Sequence, residues 1–245
     1  MTITEQEINA NYEEFYADWT TQIEKNWNDL KKLPVFLESY RRICALNAIK
    51  KILVIPNSRK DSADFFLEAH NDAVVSHVSA SFGSWRSSLQ SLRSIIENSL
   101  CSIYYNDHPV ELQLWLKGEY RINFAELYKY MCKHPMISDV GNDTAGLDII
   151  KDEYATLSQA VHASAQNFRM TKSSSAILLW NTDKSQAGMW SSRERKVIEG
   201  ISLLFVCLHR ENLIGSKNSN LREILRYSIT APRKDLLKNK FNITI

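Results

Sequence analysis

The stretch that decides the fold is residues 61–107, which read DSADFFLEAHNDAVVSHVSASFGSWRSSLQSLRSIIENSLCSIYYND. Apolar side chains recur in it at steps of three, four and seven residues, the spacing of one face of an α-helix. They are Leu67, Val74, Val78, Phe82, Trp85, Leu89, Leu92, Ile96, Leu100 and Ile103. The spacing predicts one long central helix of roughly 40 residues, about 60 Å in length. Asp61 or Ser62 would cap its start, and Gly83 allows a bend or a break within it.

Helical spacing continues on both sides of this stretch. Upstream, it gives the first helix an apolar and aromatic face that we expect to be buried, made of Ile8, Tyr12, Phe15, Trp19, Ile23, Trp27 and Leu30. Downstream, Asn123 and Glu126 have the spacing of a capping box at the start of a further helix. Only 7 Gly and 5 Pro are present, which disfavours an all-β fold with its frequent turns.

We therefore predict an all-α helical bundle that forms a single domain over residues 1–245. Residues 1–60 would form an N-terminal pair of helices and residues 61–170 the core. Residues 171–245 would form a loop followed by C-terminal helices. The loop, residues 171–191, shows no clear helical or strand period.

Composition and charge exclude several classes of protein. With 44% apolar and 24% charged residues, disorder of the whole chain is excluded. No apolar run approaches the roughly 20 residues that cross a bilayer, and the acidic start MTITEQEINANYEEF is unlike a signal peptide. The four cysteines have no CxxC spacing, which is typical of free thiols in a reducing compartment. We expect a cytoplasmic protein that does not associate with membranes.

The net charge of +2 hides an asymmetry along the chain. Residues 1–40 carry eight acids and three bases, hence −5, and residues 216–245 carry seven bases and two acids, hence +5. A basic tail can be a surface that binds nucleic acid. The alternative is that both segments are solvated or lie near each other.

Motifs for several common chemistries are absent. The chain has no GxxxxGK[ST], GxGxxG or GxSxG sequence, so phosphate-binding loops and a hydrolase nucleophile turn are unsupported. It also lacks HExxH and Glu-x-x-His pairs. His70 and His77 share one helical face, but two ligands fall short of the three or four of a metal site. We expect no metal and no cofactor.

Two polar stripes border apolar faces and could meet. The first lies on the central helix and consists of Arg86, Gln90, Arg93, Glu97, Cys101 and Tyr104. The second lies on a later helix and consists of Tyr154, Ser158, His162 and Arg169. If the apolar faces pack together, these stripes enclose a polar groove with guanidiniums, a carboxylate, phenols and an imidazole.

The groove has two interpretations, which the sequence leaves open. In the first, His162 is the acid/base group, Arg93 holds a phosphate and Glu97 orients the imidazole. The substrate would then be bound by Arg86, Tyr104, Tyr154, Ser158 and Arg169. In the second interpretation, Arg93 and Glu97 form an intrahelical pair and the other side chains satisfy buried polar atoms.

The sequence YATLSQAVHAS (154–164), following LRSIIENSLCSIYYNDHPVELQLWLKG (92–118), resembles a bacterial group of HEPN-like helical proteins that is largely uncharacterised and often associated with phage defence. The resemblance covers residues 65–170. It implies a helical bundle, commonly dimeric. Many HEPN proteins are RNA-cutting toxins that use an Arg five to seven residues before a His. Here those positions before His162 are Ala155, Thr156 and Leu157, so the usual ribonuclease motif is missing.

The resemblance therefore gives two expected functions. The first is an anti-phage or toxin-type effector that acts on RNA, with Arg86 or Arg93 replacing the missing arginine. The second is a non-catalytic HEPN-like subunit that recognises a protein, a nucleic acid or a small ligand. Expected partners are RNA or another protein of a defence system, and a second copy in a homodimer. A solvent-open cleft would favour the enzyme, and a dry network of mutual hydrogen bonds would favour the binding subunit.

Overall fold

The computed structural model describes residues 2–161, 182–214 and 218–245, and in these ranges every regular element is a helix. The all-α prediction is thus confirmed. The helices are α1 (Ile3–Leu30), α2 (Pro34–Ile49), α3 (Ile55–Asn57), α4 (Lys60–Ser81), α5 (Trp85–Asp107), α6 (Pro109–Leu116), α7 (Phe124–Lys133), α8 (Pro135–Ser138), α9 (Leu147–Val161), α10 (Lys184–Leu208), α11 (Ser219–Leu225) and α12 (Ala231–Phe241). A π-helical turn, Lys50–Val54, joins α2 to α3.

The central stretch is a hairpin of two helices, α4 and α5, rather than one long helix. Gly83 has φ +86°, in the left-handed region that favours glycine. Its N–H donates to the carbonyl of Ala80, and the N–H of Ser84 donates to the carbonyl of Ser79. This pair of bonds is a Schellman motif, which ends a helix. Gly83 therefore breaks the helix, and α4 packs against α5. The predicted apolar face was wrong in the α4 half, because Val74 and Val78 are exposed and Ala69, Ala73 and Ser76 are buried instead.

Helix α5 lies at the centre of the bundle. It contacts α4, α9 and α10 and, less extensively, the shorter α6 and α7. Leu92, Ile96 and Leu100 are completely buried, as the helical spacing of the sequence predicts. Buried residues of these helices and of α2 form one continuous hydrophobic core.

Of two predicted helix boundaries, the structure confirms one and moves the other. Helix α7 starts with the expected capping box, because Asn123 and Glu126 each accept a hydrogen bond from the other's N–H. By contrast, α10 begins at Lys184, where Asp183 caps it. The last part of the predicted 171–191 loop is therefore helical. The division of the chain into an N-terminal pair, a core and a C-terminal part stays a prediction.

The expectation that the aromatic face of α1 is buried was wrong. Residues 2–18 are all exposed, and Phe15 keeps 52% of its accessible surface. Of the residues in α1, only Asn26 and Leu30 are buried. The Asn26 amide donates to the carbonyl of Phe82, 3.1 Å away, which fixes the end of α1 to the α4–α5 turn. Most of α1 therefore extends away from the core.

The start of α9 and the middle of α10 lie close together at two glycines. Gly146, in the turn before α9, has φ +74°, and a Cβ added to it would lie 2.8 Å from the carbonyl oxygen of Gly200. A Cβ on Gly200 would lie 2.9 Å from Cγ1 of Ile150. Only glycine fits at this crossing without displacement of the backbone.

None of the helices in the described part of the chain combines the length and the apolar character that a bilayer crossing needs.

Candidate functional site

The structure brings together three of the residues that the two polar stripes predict. Arg93 on α5 donates through NH2 to Glu97 Oε1, 2.9 Å away, and to the hydroxyl of Tyr154 on α9, 2.7 Å away. The Tyr154 hydroxyl in turn donates to the same Glu97 oxygen over 2.9 Å. The three side chains form a closed triangle of hydrogen bonds, which we call the α5–α9 triangle.

The surroundings of the triangle are apolar on one side and partly solvated on the other. The ring of Phe124, from the start of α7, is stacked on Tyr154 at a centroid distance of 3.5 Å. The Arg93 and Glu97 side chains keep 24% and 36% of their exposure. Burial raises the pKa of Tyr154, and the Glu97 carboxylate acts in the same direction, against Arg93. The phenol is thus a neutral donor at physiological pH.

The charges of the triangle cancel. Arg93 contributes one positive charge and Glu97 one negative charge, and they share a hydrogen bond. A phosphate that approached Arg93 would compete with a carboxylate already in place. The geometry is that of a structural network, the second of the two interpretations given by the sequence.

The other predicted site residues lie apart from the triangle or outside the description. Ser158 donates to the carbonyl of Tyr154 within α9, 2.8 Å away. Tyr104 is buried near the end of α5, where its hydroxyl lies 3.0 Å from that of Tyr120. Arg86 belongs to the first turn of α5, two helical turns before Arg93. His162 and Arg169 lie outside the described residues.

Cys101, also on the polar stripe of α5, is a thiol whose pKa is raised by burial to about 12. The raised pKa disfavours the thiolate, the form in which a cysteine acts as a nucleophile.

A second polar constellation, which the sequence did not indicate, surrounds a cavity of about 160 Å³ near the end of α5. Asp107, His134 and His209 line it together with Asn106 and apolar side chains of α5 and α10. The cavity therefore combines a carboxylate and two imidazoles in a space large enough for a small ligand or a few waters. No periodicity reveals it, because its histidines follow the ends of α7 and α10 and meet only in the folded chain.

The hydrogen bonds of this cavity define the state of one histidine. The N–H of Met136 donates to His134 Nδ1 at 3.2 Å, so the neutral imidazole carries its proton on Nε2. That Nε2 faces Asp107 Oδ2 at 3.4 Å, and the Tyr130 hydroxyl donates to the same oxygen at 2.8 Å. Although burial acts in the opposite direction, these contacts lower the pKa of Asp107. Asp107 therefore stays ionised and orients His134, as in acid/base pairs.

A third network lies between α2, α4 and α10, with Ser39, Arg42 and Glu194 buried and His77 partly buried. Arg42 donates from Nε to Glu194 Oε2 over 2.6 Å, and Ser39 donates to Glu194 Oε1 over 2.9 Å. His77 Nδ1 lies 2.9 Å from the Ser39 oxygen, and since the hydroxyl proton is directed at Glu194, the imidazole must be the donor. Burial raises the pKa of Glu194, with Arg42 opposing it. The network ties three helices together, and none of its residues lines the cavity near the end of α5.

Three partly buried histidines predict a pH dependence of stability. Burial lowers the pKa of His70, His77 and His209 below the ordinary value of 6.5. The unfolded chain therefore binds protons that the folded chain does not, and stability that is complete above pH 6.5 is lost as the pH falls through and below it. We expect the urea concentration at the midpoint of unfolding to decrease when the pH is lowered from about 7.5 to about 5.

The matched variant for this pH dependence is His209→Gln, which keeps a polar side chain that does not titrate. Its midpoint should change less with pH than that of the wild type. The comparison between the two proteins is needed because the raised pKa values of Asp72 and Glu194 act in the opposite direction. Equal slopes for both proteins would contradict the assignment of a neutral, partly buried His209.

Comparisons with known proteins assign the chain to no family, so its class is defined by the all-α fold alone. No protein-family model, curated protein or solved structure matches the sequence or the structure. Among residues 2–161, 182–214 and 218–245, no group of three His, Cys, Asp or Glu side chains could hold a metal ion. The resemblance to HEPN-like proteins therefore stays a prediction.

Proposed function

We propose that the chain is an HEPN-like subunit of a phage-defence system. It would work by binding RNA or another protein of that system, and the groove between α5 and α9 would not cut RNA. The observation that carries this proposal is the α5–α9 triangle. In it, Nη2 of Arg93 donates to both the Glu97 carboxylate and the Tyr154 phenol, and the phenol donates to the same carboxylate. The defence context rests on the resemblance of residues 65–170 alone.

The triangle favours a binding role over a catalytic one because its contacts leave Arg93 poorly suited to hold the phosphate of a substrate. A phosphate-binding arginine needs donors that point at the ligand, and a charge that no neighbour neutralises. In Arg93 the NH2 group is used twice within the protein, and Glu97 balances the charge. The missing Arg–His spacing before His162 points in the same direction.

A second candidate function, an RNA-cutting effector, is favoured by the cavity near the end of α5. There His134 is oriented by Asp107, and His209 lines the same space. Two imidazoles can act as base and acid when a ribose 2′-hydroxyl attacks its phosphate. On this alternative the acid/base groups are His134 and His209 instead of His162.

The experiment that separates the two functions is expression in bacterial cells from a tightly controlled promoter, with growth and bulk RNA integrity as readouts. The proteins compared are the wild type, His162→Ala, His134→Ala and His209→Ala. The control is His70→Ala, which removes a partly buried histidine of α4 that does not line the cavity. Each variant is first checked for wild-type levels of soluble protein.

The outcomes assign the function directly. Unchanged growth and intact RNA with all five proteins support the binding subunit. Growth arrest with cleaved RNA that is lost only in His134→Ala and His209→Ala supports the effector with its site in the cavity. Loss in His162→Ala alone would restore the predicted groove as the catalytic site and refute the binding proposal.

A further inference from the structure

The first part of α1, residues 3–18, is an arm that contributes nothing to the hydrophobic core of the described chain. All of its residues are exposed. Its aromatic rings contact one another along the helix, with centroids 4.7 Å apart for Tyr12 and Tyr16 and 5.6 Å apart for Phe15 and Tyr16. At 1.5 Å per residue, the arm is about 24 Å long. A stripe of this kind is typical of a helix that docks on a partner.

The charge of the arm restricts what the partner can be. It carries five carboxylates, Glu5, Glu7, Glu13, Glu14 and Asp18, and no lysine or arginine. Two arms lying side by side would bring ten carboxylates together, which is unfavourable. The surface that receives the arm must therefore combine apolar contacts with positive charge.

The same chain presents such a surface, which we call the α2–α11 face. Its apolar part is made of Leu37 and Tyr40 on α2, with 57% and 59% exposure, and Tyr227 after α11, with 45%. Arg41 lies with its guanidinium carbon 5.3 Å from the centroid of the Tyr227 ring, which joins the two elements into one surface. Arg226 adds a further exposed cation next to Tyr227.

Positive charge continues around this face. Lys234 on α12 donates to the carbonyl of Arg226 at 3.0 Å, which places its ammonium group at the edge of the face. Over residues 218–245 the chain carries six basic side chains and two acidic ones, of which Glu223 is exposed on α11 itself. The face thus combines exposed aromatic groups, which can pack against those of the arm, with the basic side chains that the arm lacks.

We propose that the arm of one copy of this chain docks on the α2–α11 face of a second copy. Because each copy has both an arm and a face, reciprocal docking closes a symmetric dimer with no site left over. Aromatic contacts would supply most of the affinity, and the opposite charges would select the arm-to-face arrangement over arm-to-arm. This inference is independent of the proposed function.

The test is sedimentation of the full chain over a range of micromolar concentrations, for the wild type and for two variants. Phe15→Ser alters the arm and Tyr40→Ser alters the face. Each should raise the dimer dissociation constant by more than about tenfold. Val110→Ser, which changes an exposed apolar residue elsewhere, should leave it unchanged. Raising the salt concentration should weaken the wild-type dimer.

Mixing the two variants gives a second readout that a merely unfolded variant would fail. A Tyr40→Ser protein still has an intact arm, and a Phe15→Ser protein still has an intact face. The mixture should form a dimer with one intact contact at concentrations where each variant alone is monomeric. A monomeric wild type at all concentrations would overturn the proposal, as would dimers that are lost in Phe15→Ser but retained in Tyr40→Ser, the pattern of arm-to-arm pairing.

Discussion

Replacement of Arg42 by alanine is expected to lower the free energy of unfolding by about 3–5 kcal/mol, the usual cost of removing one partner of a buried ion pair. Arg42 is buried, and Glu194 lies 2.6 Å from its Nε in an equally buried position. Without the guanidinium, the Glu194 carboxylate must be protonated or stay charged in an apolar environment. Urea denaturation followed by far-UV circular dichroism measures the change.

Two further variants show whether the loss comes from the unpaired charge. Arg41→Ala removes the neighbouring, exposed arginine with its cation–π contact, and should cost less than about 1 kcal/mol. The double variant Arg42→Met with Glu194→Leu removes both charges and should regain much of the lost stability. A double variant no more stable than Arg42→Ala would mean that lost packing, and not the unpaired carboxylate, is responsible.

Replacement of Gly146 by alanine should destabilise the protein by about 2–5 kcal/mol, the sum of two separate costs. A non-glycine residue at its φ of +74° costs about 1–2 kcal/mol. The added methyl group would also meet the backbone oxygen of Gly200 at 2.8 Å, and such overpacking costs about 1–3 kcal/mol more. Helices α9 and α10 would have to separate. Thermal or urea unfolding gives the difference from the wild type.

Gly118 provides a matched control that isolates the cost of the contact between the added methyl group and Gly200. It has nearly the same φ, +76°, but a Cβ there would meet nothing within 4 Å. Gly118→Ala should therefore show only the conformational cost of about 1–2 kcal/mol. If the two variants were equally stable, the close approach of α9 to α10 at Gly146 would contribute nothing.

The helices themselves could be predicted from the sequence because they depend on local patterns. The spacing of apolar residues placed the buried face of α5 correctly, with Leu92, Ile96 and Leu100 completely buried. The capping box of Asn123 and Glu126 depends on residues three apart, and it formed as expected. The meeting of Arg93 and Glu97 with Tyr154 followed from two stripes that border apolar faces.

The missed features depend on contacts between distant parts of the chain. Helical spacing marks an apolar face but not whether a partner covers it, so the exposed arm of α1 looked like core. Helical spacing of apolar residues also continues through a turn that reverses the chain. The sequence therefore allowed either a bend or a break at Gly83. Glu194 in α10 was not among the predicted site residues, since its partner Arg42 lies 152 residues away in sequence.

The turn at Gly83 has a consequence for the order in which the chain folds. It makes α4 and α5 neighbours in sequence as well as in space, so the pairing of Ser76 with Ser88 closes a loop of only 12 residues. Joining α2 to α10 through Arg42 and Glu194 closes a loop of 152 residues, which costs about 2 kcal/mol more in loop-closure entropy. Because contacts between nearby residues form fastest, the hairpin can assemble first, and the C-terminal helices then fold onto it as a template.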